Sequence, residues 1–209
     1  MPDTTPGTII VLNGCMSAGK TSIAKAIQRT FDAPYLLVGM DLFWLQVFPW
    51  ECAGAATNSV EEIPIDATSP PQIAQLTRPF GRFFISGLHQ TIAALAGMGH
   101  NLVVDHVLSE ASYVTEILAL WQPFPVWLVG ISCPLETLHQ RAAARADRSW
   151  PSYLPVATWM YYEVHKHTLG IYDVEVDTSR LTPAECAVQI KHVVDERGAP
   201  TAFNRLTAQ

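Results

Sequence analysis

Five short apolar runs punctuate the chain, and segments with helical periodicity separate them. Thr8–Asn13 (TIIVLN) is β-branched and uncharged, as in a strand covered on both faces. Tyr35–Met40 (YLLVGM) and Val126–Ser132 (VWLVGIS) repeat the pattern, and Asn101–Leu108 (NLVVDHVL) and Val174–Thr178 (VEVDT) read as further strands that carry acidic residues. Between them, helices are predicted over Thr21–Phe31, Glu110–Trp121, Leu135–Arg148 and Val156–His167. Pro70–Gly99 reads as largely helical with a break near Pro79–Gly81. Pro183–Arg197 closes as an amphipathic helix with Pro183 in its first turn. Gly198–Gln209 reads as a loose polar tail. Strands alternating with helices predict an α/β fold with a five-stranded, mainly parallel sheet flanked by helices. In such sheets ligands sit at the carboxyl ends of the strands.

With 209 residues, the length suits a single domain spanning residues 1–209. Hydrophobic residues make up 49% and charged residues 15%, a globular balance. A formal net charge of −6 disfavours a protein built to grip a nucleic-acid backbone. No run of apolar residues is long enough for a membrane span, and residues 1–7 lack the pattern of a signal peptide. Cys15, Cys52, Cys133 and Cys186 form no C-x-x-C pair, so reduced thiols in a cytoplasmic protein are expected. Assembly into a homo-oligomer stays open.

The most specific motif is Gly14-Cys15-Met16-Ser17-Ala18-Gly19-Lys20-Thr21, a complete G-x-x-x-x-G-K-[ST] phosphate loop. At ordinary residue frequencies it occurs by chance in roughly one chain per hundred of this length. Here it also follows a buried-strand pattern and precedes a helix. Gly14 and Gly19 permit the turn and let backbone amides reach a phosphate. Successive N–H groups and the helix start make an anion site. Lys20 brings charge to the β- and γ-phosphates, and the Thr21 hydroxyl can hold Mg²⁺. The ligand expected is therefore ATP with Mg²⁺. No guanine-type N/T-K-x-D motif accompanies the loop.

Two carboxylates end apolar runs. Asp41, after Leu37-Val38-Gly39-Met40, suits either a base that takes the proton of an attacking hydroxyl or an N-cap for a helix near Leu42. Asp105, after Leu102-Val103-Val104, suits a Mg²⁺-holding carboxylate or a strand-end cap. His106 beside it reads as a structural histidine more readily than as a metal ligand. Arg141, Arg145 and Arg148 share one helical face at offsets of four and three. They suit a lid over a transferring phosphoryl group, spanning about residues 141–155, or a solvated basic face. Phe43, Trp44, Phe48 and Trp50 form an aromatic cluster that suits an acceptor pocket or core packing.

Taken in order, the phosphate loop, Gly39–Asp41, the Asp105 strand, R-x-x-x-R-x-D-R at Arg141–Arg148 and the run Tyr172–Thr178 resemble the chloramphenicol phosphotransferase-like family. The likeness extends over about Ile9 to Val194. It implies a P-loop NTPase/kinase fold with a small lid, and transfer of the ATP γ-phosphate to a hydroxyl of an antibiotic. It also implies Asp41 as base, Lys20 and Thr21 as phosphate and magnesium ligands, and Arg145 and Arg148 as lid arginines. The acceptor-side segment is about 42–82, where this sequence departs from the family pattern. The residues alone leave open a nucleotide or metabolite kinase of the same fold, and a nucleotide-gated regulatory ATPase without an acceptor.

Overall fold

The structure, a computed structural model, describes residues 5–40, 78–144 and 153–209. Asp41, Arg145, Arg148, Cys52 and the aromatics from Phe43 to Trp50 lie outside the described residues. The described elements are, in chain order, β1 (Ile9–Asn13), α1 (Lys20–Thr30), β2 (Tyr35–Gly39), α2 (Arg78–Gly97), β3 (Asn101–His106), α3 (Ala111–Trp121), β4 (Val126–Ser132), α4 (Leu135–Ala144), α5 (Tyr153–Glu163), β5 (Val174–Asp177), α6 (Pro183–Arg197) and α7 (Ala202–Thr207). The five strands form one sheet in the order β2-β3-β1-β4-β5, and every pairing is parallel.

β1 lies at the centre, and its residues are buried on both faces. Successive side chains point to opposite sides of a strand. Ile10 and Leu12 accordingly join the core formed with Ile23 and Ile27 of α1 and Ala187 and Ile190 of α6. Ile9 and Val11 join the opposite core with Leu88 and Ile92 of α2, Ile117 and Trp121 of α3, and Phe203 and Leu206 of α7. Each fully buried aliphatic side chain contributes about 1.5–3 kcal/mol. A sheet covered on both faces needs continuous apolar runs, which is the pattern the sequence carries.

Register fixes what meets at the strand ends. Leu12 and Gly39 both pair with Asp105, so that carboxylate stands between the ends of β1 and β2. Two expectations are corrected here. Pro79–Gly81 does not interrupt the described helix, because α2 runs unbroken from Arg78 to Gly97 and includes all three residues. The tail is not loose either. Ala202, Phe203 and Leu206 are buried, and the start of α7 is capped by Asp173 from before β5. Asp173 Oδ1 accepts from the Thr201 and Ala202 amides at 2.7 and 2.9 Å, and Oδ2 accepts from the Leu128 amide at 2.9 Å.

Candidate active site

The phosphate loop joins β1 to α1. Gly19 caps α1 at φ 97°, a left-handed conformation that glycine adopts at least cost. No side chain caps that helix and no acidic residue occupies its first turn, so its leading N–H groups stay available to an anion. Gly14 packs against Ile131, where an added Cβ would approach the Ile131 Cβ to 2.8 Å. Ser17 holds a positive φ of 64°, uncommon for a residue with a side chain. Its Oγ is buried, with no hydrogen-bond partner among the described residues. An unpaired hydroxyl inside a loop of this shape suits an oxygen-rich ligand.

Lys20 is nearly buried. Its Nζ donates to the Cys15 carbonyl at 3.0 Å and lies 3.6 Å from Asp105 Oδ1. The Thr21 hydroxyl donates to the other carboxylate oxygen, Asp105 Oδ2, at 2.5 Å. One ammonium, one hydroxyl and one carboxylate therefore converge from α1 and β3. Hydroxyl and carboxylate oxygens are the hard donors that Mg²⁺ takes, and that ion completes its shell with phosphate and water. Thr21 and Asp105 fit it on that chemistry. Among the described residues no group of three or more His, Cys, Asp or Glu stands ready to hold a metal by protein ligands alone. His106 is fully buried and points away from this cluster, its Nε2 2.8 Å from His89 Nε2. That is the structural placement expected of it.

Arg141 reaches the same region from α4. Its guanidinium donates to the Thr178 hydroxyl at 2.9 Å and to the Thr178 carbonyl at 2.7 Å, and lies 3.5 Å from Cys133 Sγ. The Thr178 hydroxyl in turn donates to the Ala18 carbonyl at 2.8 Å. Thr178 thus ties the end of the β5 run, the arginine and the phosphate loop together. In the sequence it stands out only as the end of the run Tyr172–Thr178, since Glu175 and Asp177 precede it and no apolar run closes on it. Burial pushes the Cys15 thiol up to about 11, with the Lys20 charge opposing, so Cys15 is an inert packing group.

A cavity of about 410 Å³ opens over the loop, within the range typical of ligand pockets. Its polar wall includes Ser17, Lys20, Thr21, Asp105 and Arg141. Met40, Val107, Met160 and Leu181 supply an apolar side. Gly14, Cys15 and Ala18 shape the loop without lining the cavity, whereas Met16 and Gly19 face it. Met40, Met160 and Leu181 had no distinctive sequence signal, because an apolar residue at a pocket reads like one in a core.

The profile of chloramphenicol phosphotransferase-like proteins matches residues 7–195. The chain belongs to that family. A candidate O-phosphotransferase of Mycobacterium tuberculosis is 28% identical over 205 residues, covering 96% of this chain and 88% of the relative. Among solved structures, the APS kinase of Mycobacterium tuberculosis superposes with a TM-score of 0.58 at 11% identity, covering 91% of this chain and 98% of that one. A gluconokinase of Sinorhizobium meliloti gives 0.57 at 16% identity, with 92% and 94% covered. Shikimate kinase of Acinetobacter baumannii gives 0.55 at 13% identity, with 92% and 95% covered. These likenesses show a P-loop kinase fold.

Proposed function

We propose that this protein is a kinase that moves the γ-phosphate of ATP to a hydroxyl of a small molecule. The observation that carries the reading is the convergence of Lys20, Thr21 and Asp105 at the mouth of a phosphate loop. A purely structural loop has no need of a carboxylate that accepts from a hydroxyl at 2.5 Å and faces an ammonium at 3.6 Å. Family membership and the name of the mycobacterial relative support phosphotransfer chemistry.

In this reading the backbone from Gly14 to Gly19 cradles the phosphates and Lys20 supplies charge to them. Thr21 and Asp105 would hold Mg²⁺, which when bound neutralises charge on the β- and γ-oxygens. Arg141 contributes a fixed positive charge beside the loop, and Arg145 and Arg148 are assigned to the lid. Asp41, two residues beyond the end of β2, is assigned as the base that orients and deprotonates the acceptor hydroxyl. The acceptor segment is about 42–82, and an antibiotic alcohol such as chloramphenicol is the first candidate. No described helix is long and apolar enough to cross a membrane, and Cys15, Cys133 and Cys186 are buried free thiols, which suits a single cytoplasmic domain.

The test is ADP release from ATP–Mg with and without a panel of hydroxylated antibiotics, nucleosides and sugars, with the phosphorylated product identified by mass. Stimulation by an antibiotic alcohol is expected. Stimulation only by a nucleoside or metabolite would move the assignment to a metabolite kinase. Slow hydrolysis that no alcohol accelerates would favour a nucleotide-gated regulatory ATPase.

A further inference from the structure

The phosphate loop is approached along β1, and the last residue of that strand is Asn13. A buried asparagine in a central strand must satisfy an amide with two donors and an acceptor. Asn13 has no exposed surface and uses all three groups. Its Oδ1 accepts from the Leu108 amide at 2.9 Å. Its Nδ2 donates to the Val164 carbonyl at 2.9 Å and to the Tyr172 hydroxyl at 2.9 Å. Val164 directly follows α5, the helix that presents Met160 to the cavity. One side chain therefore links the loop's supporting strand, the segment after β3 and the end of a cavity wall.

Tyr172 is the second half of the connection. Its hydroxyl meets Asn13, Thr168 Oγ1 at 2.8 Å and His165 Nδ1 at 2.6 Å. Asn13 Nδ2 can only donate, and the Thr168 hydroxyl lies 2.8 Å from the phenol oxygen against 3.2 Å from the His165 carbonyl, so with Thr168 donating to the phenol, the phenol accepts twice and its own proton goes to His165. Burial pushes the phenol up to about 12 and holds the imidazole of His165 below its usual value, which keeps Tyr172 protonated and His165 neutral. Gly130, the register partner of Asn13 on β4, makes the room. A Cβ there would meet the Tyr172 ring at 2.8 Å. Three separate features thus serve one hydroxyl: a satisfied buried amide, a gap in a central strand and a proton-accepting histidine.

We propose that Tyr172 is a positioning residue for phosphoryl transfer, its hydroxyl holding Asn13 and hence the phosphate loop in fixed relation to α5. The proposal rests on the kinase reading above. Phosphoryl transfer depends mainly on placement of charge around the phosphates, and a misplacement of about 1 Å can cost about 10²-fold. Tyr172→Phe keeps the ring over Gly130. It also leaves Asn13 bonded to Val164 and Leu108, so the loss is confined to the hydroxyl.

The experiment uses ATP–Mg as probe. ADP release at saturating nucleotide, ATP–Mg binding by calorimetry and Tm are measured for wild type, Tyr172→Phe, Gly130→Ala and Thr201→Ala. Gly130→Ala displaces the ring while keeping every hydrogen-bonding group, and it carries the test should Tyr172→Phe not fold. Thr201→Ala is the control, since it weakens the adjoining Asp173 clasp without touching Tyr172. Expected is a fall in kcat of about tenfold for both Tyr172-directed variants, within the range that misplacement allows, with nucleotide affinity within about twofold of wild type. Thr201→Ala should lower Tm and leave kcat unchanged. Wild-type kcat in both Tyr172-directed variants would overturn the positioning role and leave the kinase reading intact. A kcat loss in Thr201→Ala that tracks Tm to the same degree would reduce Tyr172 to a structural residue. A wild type that neither binds ATP–Mg nor releases ADP would overturn both.

Discussion

Asp173→Ala should be among the most destabilising single changes in the chain. The native carboxylate accepts from the Leu128, Thr201 and Ala202 amides and from the Thr201 hydroxyl. Leu128 and Ala202 are fully buried, so their N–H groups cannot turn to water once the carboxylate is gone. A buried donor left unpaired costs about 1–3 kcal/mol, and the loss of a helix N-cap typically about 1 kcal/mol. The two descriptions overlap at Ala202, which puts the total at about 3–5 kcal/mol. For a protein of this size that is a fall in Tm of about 6–20 °C. Thermal unfolding followed by circular dichroism measures it, and hydrogen exchange should show the amides of α7 and of Leu128 losing protection first. A Tm within about 2 °C of wild type, with α7 still protected, would refute the reasoning.

Lys20→Ala should fold normally and lower kcat by about 10²–10³-fold, the scale on which removal of one preorganised charge-stabilising donor acts. Near-wild-type turnover would exclude the loop as the catalytic site. Asp105→Asn keeps an oxygen for the Thr21 hydroxyl but discards the charge. The Mg²⁺ concentration for half-maximal ADP release should rise by about 10–100-fold, and an unchanged Mg²⁺ dependence would remove Asp105 from the metal site. Burial holds His89 below the ordinary imidazole value of 6.5, against the pull of Glu116, and holds His106 well below it, with His89 adding to the effect. The unfolded chain therefore takes up protons first, so stability is full above about 6.5 and is lost as pH falls toward the folded values. The urea midpoint should drop between pH 7 and pH 5, and His106→Leu should flatten that slope.

The parts of this molecule that were legible in the sequence are those encoded over a few adjacent residues. The phosphate loop needs only its own eight positions and the strand before it, so it could be read directly. Asp105 was found because a carboxylate closing an apolar run is unusual in itself. Thr178 closes no apolar run, and its value comes from Ala18, 160 residues away in sequence, a meeting that no local pattern announces. The tail was misread for a related reason. Ala202, Phe203 and Leu206 form a short apolar face that reads as a helix only once Asp173 is known to cap it. Pro79 reads as a breaker because proline removes a helical N–H, a local signal that does not register the unbroken course of α2 through it.

The central position of β1 also bears on how the protein is made. The strand that supports the phosphate loop is synthesised before the other described strands, yet both of its neighbours, β3 and β4, lie far downstream. The side-chain partners of Asn13 are 95 to 159 residues away. At a translation rate of about 5–20 residues per second, the uncharged run Ile9–Asn13 waits on the order of 5–20 s on the ribosome before its first such partner exists. For that interval it is an unpaired strand with apolar side chains on both faces, the kind of segment that chaperones bind and that aggregates when they do not. The central position that buries the phosphate loop's supporting strand in the folded protein is thus the one that leaves it most exposed at birth.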